Sequence, residues 1–128
     1  MITRQLATKS LLLLLSLIVI FHLLVLLKLV PYDVVWGGKF DSYNSLLPFE
    51  IGSLVLNLSF ILLVRHRNRN ADSKIGRTGM WLMFVLFALN TIGNLFAETM
   101  TEKLTATPLT LILALLSLRL AQKTDQKA

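Results

Sequence analysis

Residues 10–30, SLLLLLSLIVIFHLLVLLKLV, are 21 consecutive positions whose only ionisable members are His22 and Lys28. As a helix rising about 1.5 Å per residue, such a run crosses a hydrocarbon layer of about 30 Å. Inside lipid only a helix or a closed barrel satisfies its own backbone hydrogen bonds, and a run this long and continuously apolar lacks the alternation of a barrel strand. Arg4 and Lys9 precede it as the basic region of a signal peptide would. The apolar run is longer than the roughly 7–15 residues of a signal core, however, and no small-x-small cleavage site follows. The expectation is an uncleaved membrane anchor.

Three further apolar segments repeat the pattern. One covers about 49–65 and ends at the basic run RHRNRNADSK; another covers about 79–98 and opens with Trp81 at interface depth. The last offers two starts. A cap at Thr107 with Pro108 in the first helical position leaves about 14 residues, roughly 21–24 Å, which is short of a span. A capping box at Thr99 with Glu102 starts the helix near Thr101 instead, giving 101–121 with Pro108 inside its outer end. There neighbouring helices and threonine hydroxyls are expected to cover the hydrogen bond that proline removes.

The fold predicted is all-α, an integral-membrane four-helix bundle forming a single domain over residues 1–128. Composition agrees: 55% of residues are hydrophobic and the mean hydropathy is +0.68, against roughly 45–50% apolar, glycine included, in soluble domains. The net charge of +6 does not indicate nucleic acid, because the basic residues lie between apolar runs and interleave with no base-stacking aromatics. The absence of cysteine excludes disulfides, thiolate catalysis, cysteine-ligated zinc and iron–sulfur clusters. With His22 and His66 as the only histidines, no metal site or cofactor is expected.

Lys and Arg are retained on the cytoplasmic side during insertion. Assigning alternate helix ends to the two sides puts Arg4, Lys9, Arg65, Arg67, Arg69, Lys74, Arg77, Arg119, Lys123 and Lys127 on one side, and only Lys28, Lys39 and Lys103 on the other. Ten against three predicts a multi-pass protein with both termini cytoplasmic, and argues against insertion in both orientations. The acids sort oppositely, with Asp33, Asp41, Glu50, Glu98 and Glu102 outside and Asp72 and Asp125 inside.

The outer connection between the first two spans, PYDVVWGGKFDSYNSLLPF, holds Tyr32, Trp36, Phe40, Tyr43 and Phe49, five of the eleven aromatic residues. That density suits a segment lying at the membrane interface, and also a cap closing an outward-facing pocket. Gly37 and Gly38 are placed to supply a left-handed turn just after Trp36. The stretch PYDVVWGG, the pair Phe49-Glu50 and the segment FALNTIGNLFA resemble a family of small four-helix bacterial inner-membrane proteins. The resemblance covers most of the chain and implies a fold and a bacterial inner-membrane location. It carries no activity.

FALNTIGNLFAET places Asn90, Asn94 and Glu98 four residues apart, hence on one helical face in the outer half of the third span. Gly93 and Ala97 flank that stripe at a small-xxx-small spacing that admits another helix. Glu50, Ser53 and Asn57 form a matching set on the second span. Counting from the outer ends, Asn57 lies ~10 Å deep and Asn90 and His22 ~12 Å deep, so these three are expected to meet at one level. An unpaired amide or carboxylate in hydrocarbon costs several kcal/mol, so the groups should bond one another, water or a ligand.

The site predicted from these residues is a small polar pocket open to the periplasm. Glu50 and Glu98 would attract a cation or amine, Asn57, Asn90 and Asn94 would orient it, and His22 would end the polar path. The loop residues Tyr32, Asp33 and Trp36 would close it. A bland reading stands beside this one: interhelical hydrogen bonds worth ~0.6 kcal/mol each, a packing histidine, Lys28 snorkelling to the interface, and RHRNRN as a topology signal that also favours anionic lipid. Asn57-Leu58-Ser59 matches a glycosylation acceptor but lies inside a span.

The function classes that follow are a protein binding or transporting a small cationic or polar ligand, then a non-catalytic accessory subunit docking a partner membrane protein, then a lipid-modifying enzyme. The partners expected are the bilayer, such a ligand, and a homo-oligomer or membrane-protein partner. No Ser/His/Asp set, HExxH or phosphate-binding glycine loop is present, so no catalytic residue is expected. The inner half is nearly all Leu, Ile, Val, Phe and Met, and shows no polar route to the cytoplasm within one chain.

Overall fold

The computed structural model describes residues 2–97 and 100–123. It is all-α, with four helices: α1 (Arg4–Leu26), α2 (Tyr43–Arg69), α3 (Lys74–Leu95) and α4 (Met100–Ala121). All four are long and apolar enough to cross a membrane, and at most a third of any span is buried within the bundle. The remaining apolar surface, including Leu13, Leu17, Ile20, Leu62, Leu82, Leu89 and Leu111, faces outward. In water so large an apolar exterior would drive aggregation; in lipid it is the expected exterior.

Local signals start each of the first three helices. The hydroxyls of Thr3, Ser42 and Ser73 accept from the backbone N–H of Leu6, Ser45 and Gly76 at 3.1, 3.2 and 3.1 Å, each satisfying one amide that the first turn leaves orphaned. The Ser42 cap corrects the expected start of the second span, which begins at Tyr43 rather than Phe49. Pro48 is accommodated inside the helix, where its only backbone loss is the bond to the Asn44 carbonyl. At the other end of α1, Leu29 N–H bonds Leu24 O and Lys28 N–H bonds Val25 O, both at 3.0 Å, with Lys28 left-handed at φ 62°. This Schellman closure stops the helix at Leu26 instead of Val30.

The fourth helix begins at Met100 and contains Pro108. The threonine hydroxyls around the proline do not cover the carbonyl it frees. Thr105 donates to Thr101 O at 2.6 Å and Thr110 to Ala106 O at 2.9 Å, and none of them reaches Leu104.

The helices pack as a ring in chain order, with α3 on α4 and α1 on α2 the most extensive pairs. The main core lies toward one end, built from Ala7, Leu11 and Leu15 of α1, Phe60 and Val64 of α2, Met80, Met83 and Phe87 of α3, and Leu113 to Ala121 of α4. Among the described residues, α3 beyond Phe87 and α4 before Leu113 bury no side chain. At that opposite end a second, smaller core of Val25, Val35 and Leu46 sits between α1 and α2, under the connecting segment.

Two glycines of α3 make room for side chains of α2. A Cβ on Gly79 would stand 2.5 Å from Leu63 Cδ1, and one on Gly76 would stand 3.3 Å from Arg67 Cδ. A Cβ on Gly93 would meet nothing within 4 Å. Among the described residues Gly93 therefore admits no close helix approach, contrary to the expectation from its small-xxx-small spacing with Ala97.

The arginine-rich end is knitted by side chains that serve another helix's terminus. Arg67 is 1% exposed; its Nε donates to Leu120 O at 2.8 Å, Nη2 to Gln122 O at 3.0 Å and Nη1 to Ala71 O. Arg4 Nη1 adds a bond to Gln122 O at 3.3 Å. These cations satisfy carbonyls left unpaired at the C-terminus of α4 and complement its dipole. The start of α1, the α2–α3 turn and the end of α4 thus share one end of the bundle, with the Trp36 segment at the other.

Candidate functional site

The inward face of α2 reads Leu46, Glu50, Ser53, Asn57, Phe60, Val64, Arg67, alternating steps of four and three that keep a helical stripe in register. Glu50 is therefore held inside for the same geometric reason as Leu46 and Phe60, and is 1% exposed. Because α2 starts at Tyr43, this carboxylate is about 10 Å from the helix start and not at its rim.

Two elements supply its partners. His22, one turn before the end of α1, donates from Nδ1 to Glu50 Oε2 at 2.6 Å. The indole Nε1–H of Trp36 donates to Glu50 Oε1 at 2.7 Å. Among the described residues each oxygen has one donor, against about four lone-pair positions on a carboxylate. His22 meets Glu50 and not Asn57 because both helix boundaries differ from those expected: α1 is shorter at its outer end and α2 is longer, which brings Glu50 down to the histidine.

The connecting segment, Pro31 to Ser42, is folded onto this pair by two short 3₁₀ turns, Tyr32–Val34 and Trp36–Gly38. Trp36 itself is left-handed at φ 54°, as is Gly38 at φ 71°. The expected reversal at the glycines is thus shared with the tryptophan. A bulky side chain in this region is an outlier, and here the conformation accompanies an indole N–H bonded to Glu50. The ring packs edge-on against Phe40 and Phe49. Tyr32 packs against Tyr43, whose hydroxyl donates to Val30 O at 2.9 Å. Asp33 is exposed on the first turn and does not touch Glu50 or His22.

Beside the pair lies a cavity of about 190 Å³ walled by Val25, Leu26, Lys28, Tyr43, Asn44, Leu46, Leu47 and Glu50. Its two charged members do not neutralise each other. Glu50 is hydrogen-bonded to His22 and Trp36, whereas the Lys28 ammonium sits 5.5 Å over the Tyr43 ring, a cation–π contact. Lys28, Tyr43 and Asn44 were not among the sequence-predicted site residues. The signal available for Lys28 was a lysine at the helix stop, where glycine is the usual residue.

The remaining predicted residues do not join this cluster. Asn57 is 8% exposed and its Nδ2 donates to Ser53 O of its own helix at 2.8 Å. Asn94 turns to α4, donating to Thr110 Oγ1 at 3.3 Å, where Thr91 also donates at 3.0 Å. Asn90 is exposed. The inward face of α3 runs through Gly76, Met80, Met83 and Phe87, then through the half-buried Thr91 and Asn94, so Asn90 falls on the flank. Glu98 lies outside the described residues. At the Trp36 end, polar groups therefore form two clusters, one between α1 and α2 and one between α3 and α4, with Asn57 and Asn90 in neither, in place of the single convergence expected.

No family model, curated protein or solved structure gives a significant match to the chain.

Proposed function

We propose that the protein is a polytopic protein of the bacterial inner membrane, with both termini cytoplasmic, that binds a small polar or cationic ligand in a periplasm-facing pocket between α1 and α2. The observation carrying this reading is that a buried carboxylate and a separate ammonium share the wall of one cavity, while His22 and Trp36 hold the carboxylate in place. Intramembrane ionisable residues mark ligand or ion paths by default. Left-handed Lys28 and Trp36 add weight, since non-glycine residues kept in that region at a cost of roughly 1–2 kcal/mol each cluster at functional sites.

Binding is favoured over transport by a single chain. Between the cavity and the arginine-rich end, the main core is Leu, Val, Phe, Met and Ala, and the polar Asn57 and Ser117 buried there each bond a carbonyl of their own helix, which supports no continuous polar path.

Orientation and binding are tested separately. The chain has no native cysteine, so Lys39→Cys and Asp72→Cys give clean reporters. An impermeant maleimide should label Lys39→Cys in intact spheroplasts and Asp72→Cys only after lysis; the reverse pattern would overturn the orientation. For the pocket, a panel of small amines and zwitterions should raise the melting temperature of the wild type and not of Glu50→Gln. A panel that stabilises both equally, or neither, removes the pocket reading.

The accessory-subunit reading has one observation of its own, the outward Asn90 beside open Gly93 on α3. It requires a partner helix crosslinking to Gly93→Cys at a fixed ratio.

A further inference from the structure

We propose that the pocket between α1 and α2 recognises a zwitterion, a primary ammonium and an anionic group on a short linker, as presented by an ethanolamine phospholipid headgroup. The inference rests on the pocket reading above and assigns its ligand class.

The cavity presents one fixed negative group and one fixed positive group that are not paired to each other. A purely cationic ligand would satisfy Glu50 and be repelled by Lys28; a purely anionic one would do the reverse. A ligand carrying both charges in opposite order satisfies both walls. Glu50 has acceptor capacity beyond the hydrogen bonds from His22 and Trp36, and a primary ammonium brings three N–H donors to it. A quaternary ammonium brings none, so the site distinguishes ethanolamine from choline by hydrogen bonding and not by charge.

The positive wall is built for an anion at the rim. Lys28 occupies the left-handed stop of α1, where glycine would be unstrained, and its ammonium is steadied over the Tyr43 ring. Asn44 adds a polar side chain to the same wall.

A lipid is favoured over a soluble zwitterion by the rest of the lining. Val25, Leu26, Leu46 and Leu47 make half of the wall, and Leu47 and the neighbouring Phe49 are 45% and 52% exposed. The cavity is also at the ends of two spans, the level at which headgroups lie. Its 190 Å³ is below the ~300–1,000 Å³ of drug-sized pockets, which fits a headgroup with its acyl chains left outside.

The test uses the full chain, delipidated in detergent, in a Trp81→Phe background so that Trp36 is the sole tryptophan. Emission of Trp36 is followed during titration with glycerophosphoethanolamine, glycerophosphocholine, glycerophosphoglycerol and β-alanine. Native mass spectrometry then scores phosphatidylethanolamine against phosphatidylcholine. The ethanolamine compounds should bind one per protomer and at least tenfold more tightly than their choline counterparts. Glu50→Gln should abolish that preference, and Lys28→Met should weaken the phosphate-bearing compounds while leaving the bundle folded. Tighter binding of β-alanine than of either ethanolamine compound would support the zwitterion and assign a soluble source. Equal binding of the ethanolamine, choline and glycerol forms, still lost in Lys28→Met, would show that only the anionic group is read, and would overturn the zwitterion inference while leaving the pocket standing. If no compound moves Trp36 emission or is retained in the spectrometer, the pocket reading falls with it.

Discussion

Glu50 and Arg67 stand on one face of α2, seventeen positions apart, each 1% exposed and about 25 Å from the other along the axis. They are too far apart to neutralise each other, and each is satisfied by a different kind of partner. Side chains of α1 and the connecting segment serve the carboxylate; backbone carbonyls of α4 and the α2–α3 turn serve the guanidinium. A single stripe thus ties α2 to its neighbours at both ends of the bundle.

Replacing Arg67 should be among the most damaging changes in the chain. Arg67→Met keeps the apolar stem but takes the guanidinium donor from the carbonyls of Leu120 and Ala71 and leaves Gln122 O with Arg4 alone, and hydrogen bonds to charged groups are worth about 1.5–3 kcal/mol each. A loss of about 2–4 kcal/mol is expected in reversible unfolding from detergent. Arg67→Lys should recover only part of it, because one ammonium cannot reproduce the guanidinium fork. Full recovery by lysine would show that charge alone matters there.

The Glu50 pair should show strong coupling. Glu50→Leu strands the donors of His22 and Trp36, at about 1–3 kcal/mol for each buried group left unsatisfied. His22→Leu in the same chain removes one of those stranded groups, so the double variant should lose less stability than the sum of the singles. A double-mutant cycle returning no coupling would mean that the 2.6 Å contact is not made in the folded protein.

Lys28→Gly is expected to stabilise the protein by about 0.5–1 kcal/mol. It removes a left-handed strain of roughly 1–2 kcal/mol, less the chain entropy that glycine restores to the unfolded state. Lys28→Val, β-branched at φ 62°, should destabilise it by at least as much. Thermal melts of the two variants check the sign, and a glycine variant less stable than wild type would show that the Tyr43 contact outweighs the strain.

Two glycines of α3 should respond oppositely to a methyl group. Gly79→Ala drives Cβ into Leu63, while Gly93→Ala meets open space and gains helix propensity of about 1 kcal/mol. Gly79→Ala should therefore melt about 1–2 kcal/mol below Gly93→Ala. If Gly93→Ala is the more damaging, a second chain occupies that face.

Much of the architecture was legible in the sequence. The four spans follow from length and apolar continuity, and Pro108 inside α4 follows from the minimum length a crossing needs. The Glu50, Ser53, Asn57 face also follows from periodicity. Boundaries were less legible: Ser42 as a cap and Lys28 as a left-handed stop are local events that hydropathy does not see, yet they move α2 and α1 enough to change which residue meets His22. The stripe of Asn90, Asn94 and Glu98 was read from spacing alone. The rotation of α3 that favours Thr91 over Asn90 could have been found by extending the Met80, Met83, Phe87 face.

Hydrocarbon-matching lengths, helix periodicity and capping chemistry are properties of short stretches, so the chain order alone determined that there are four membrane-capable helices and which residues share a stripe. Which stripes meet is not local. The pairing of His22 and Trp36 with Glu50, the use of Arg67 to close the end of α4, and the division of the polar residues into two clusters depend on how the helices are rotated and cut relative to one another. That rotation is set by packing around Met80, Phe60 and Leu113, contacts between residues far apart in the chain that no local pattern contains.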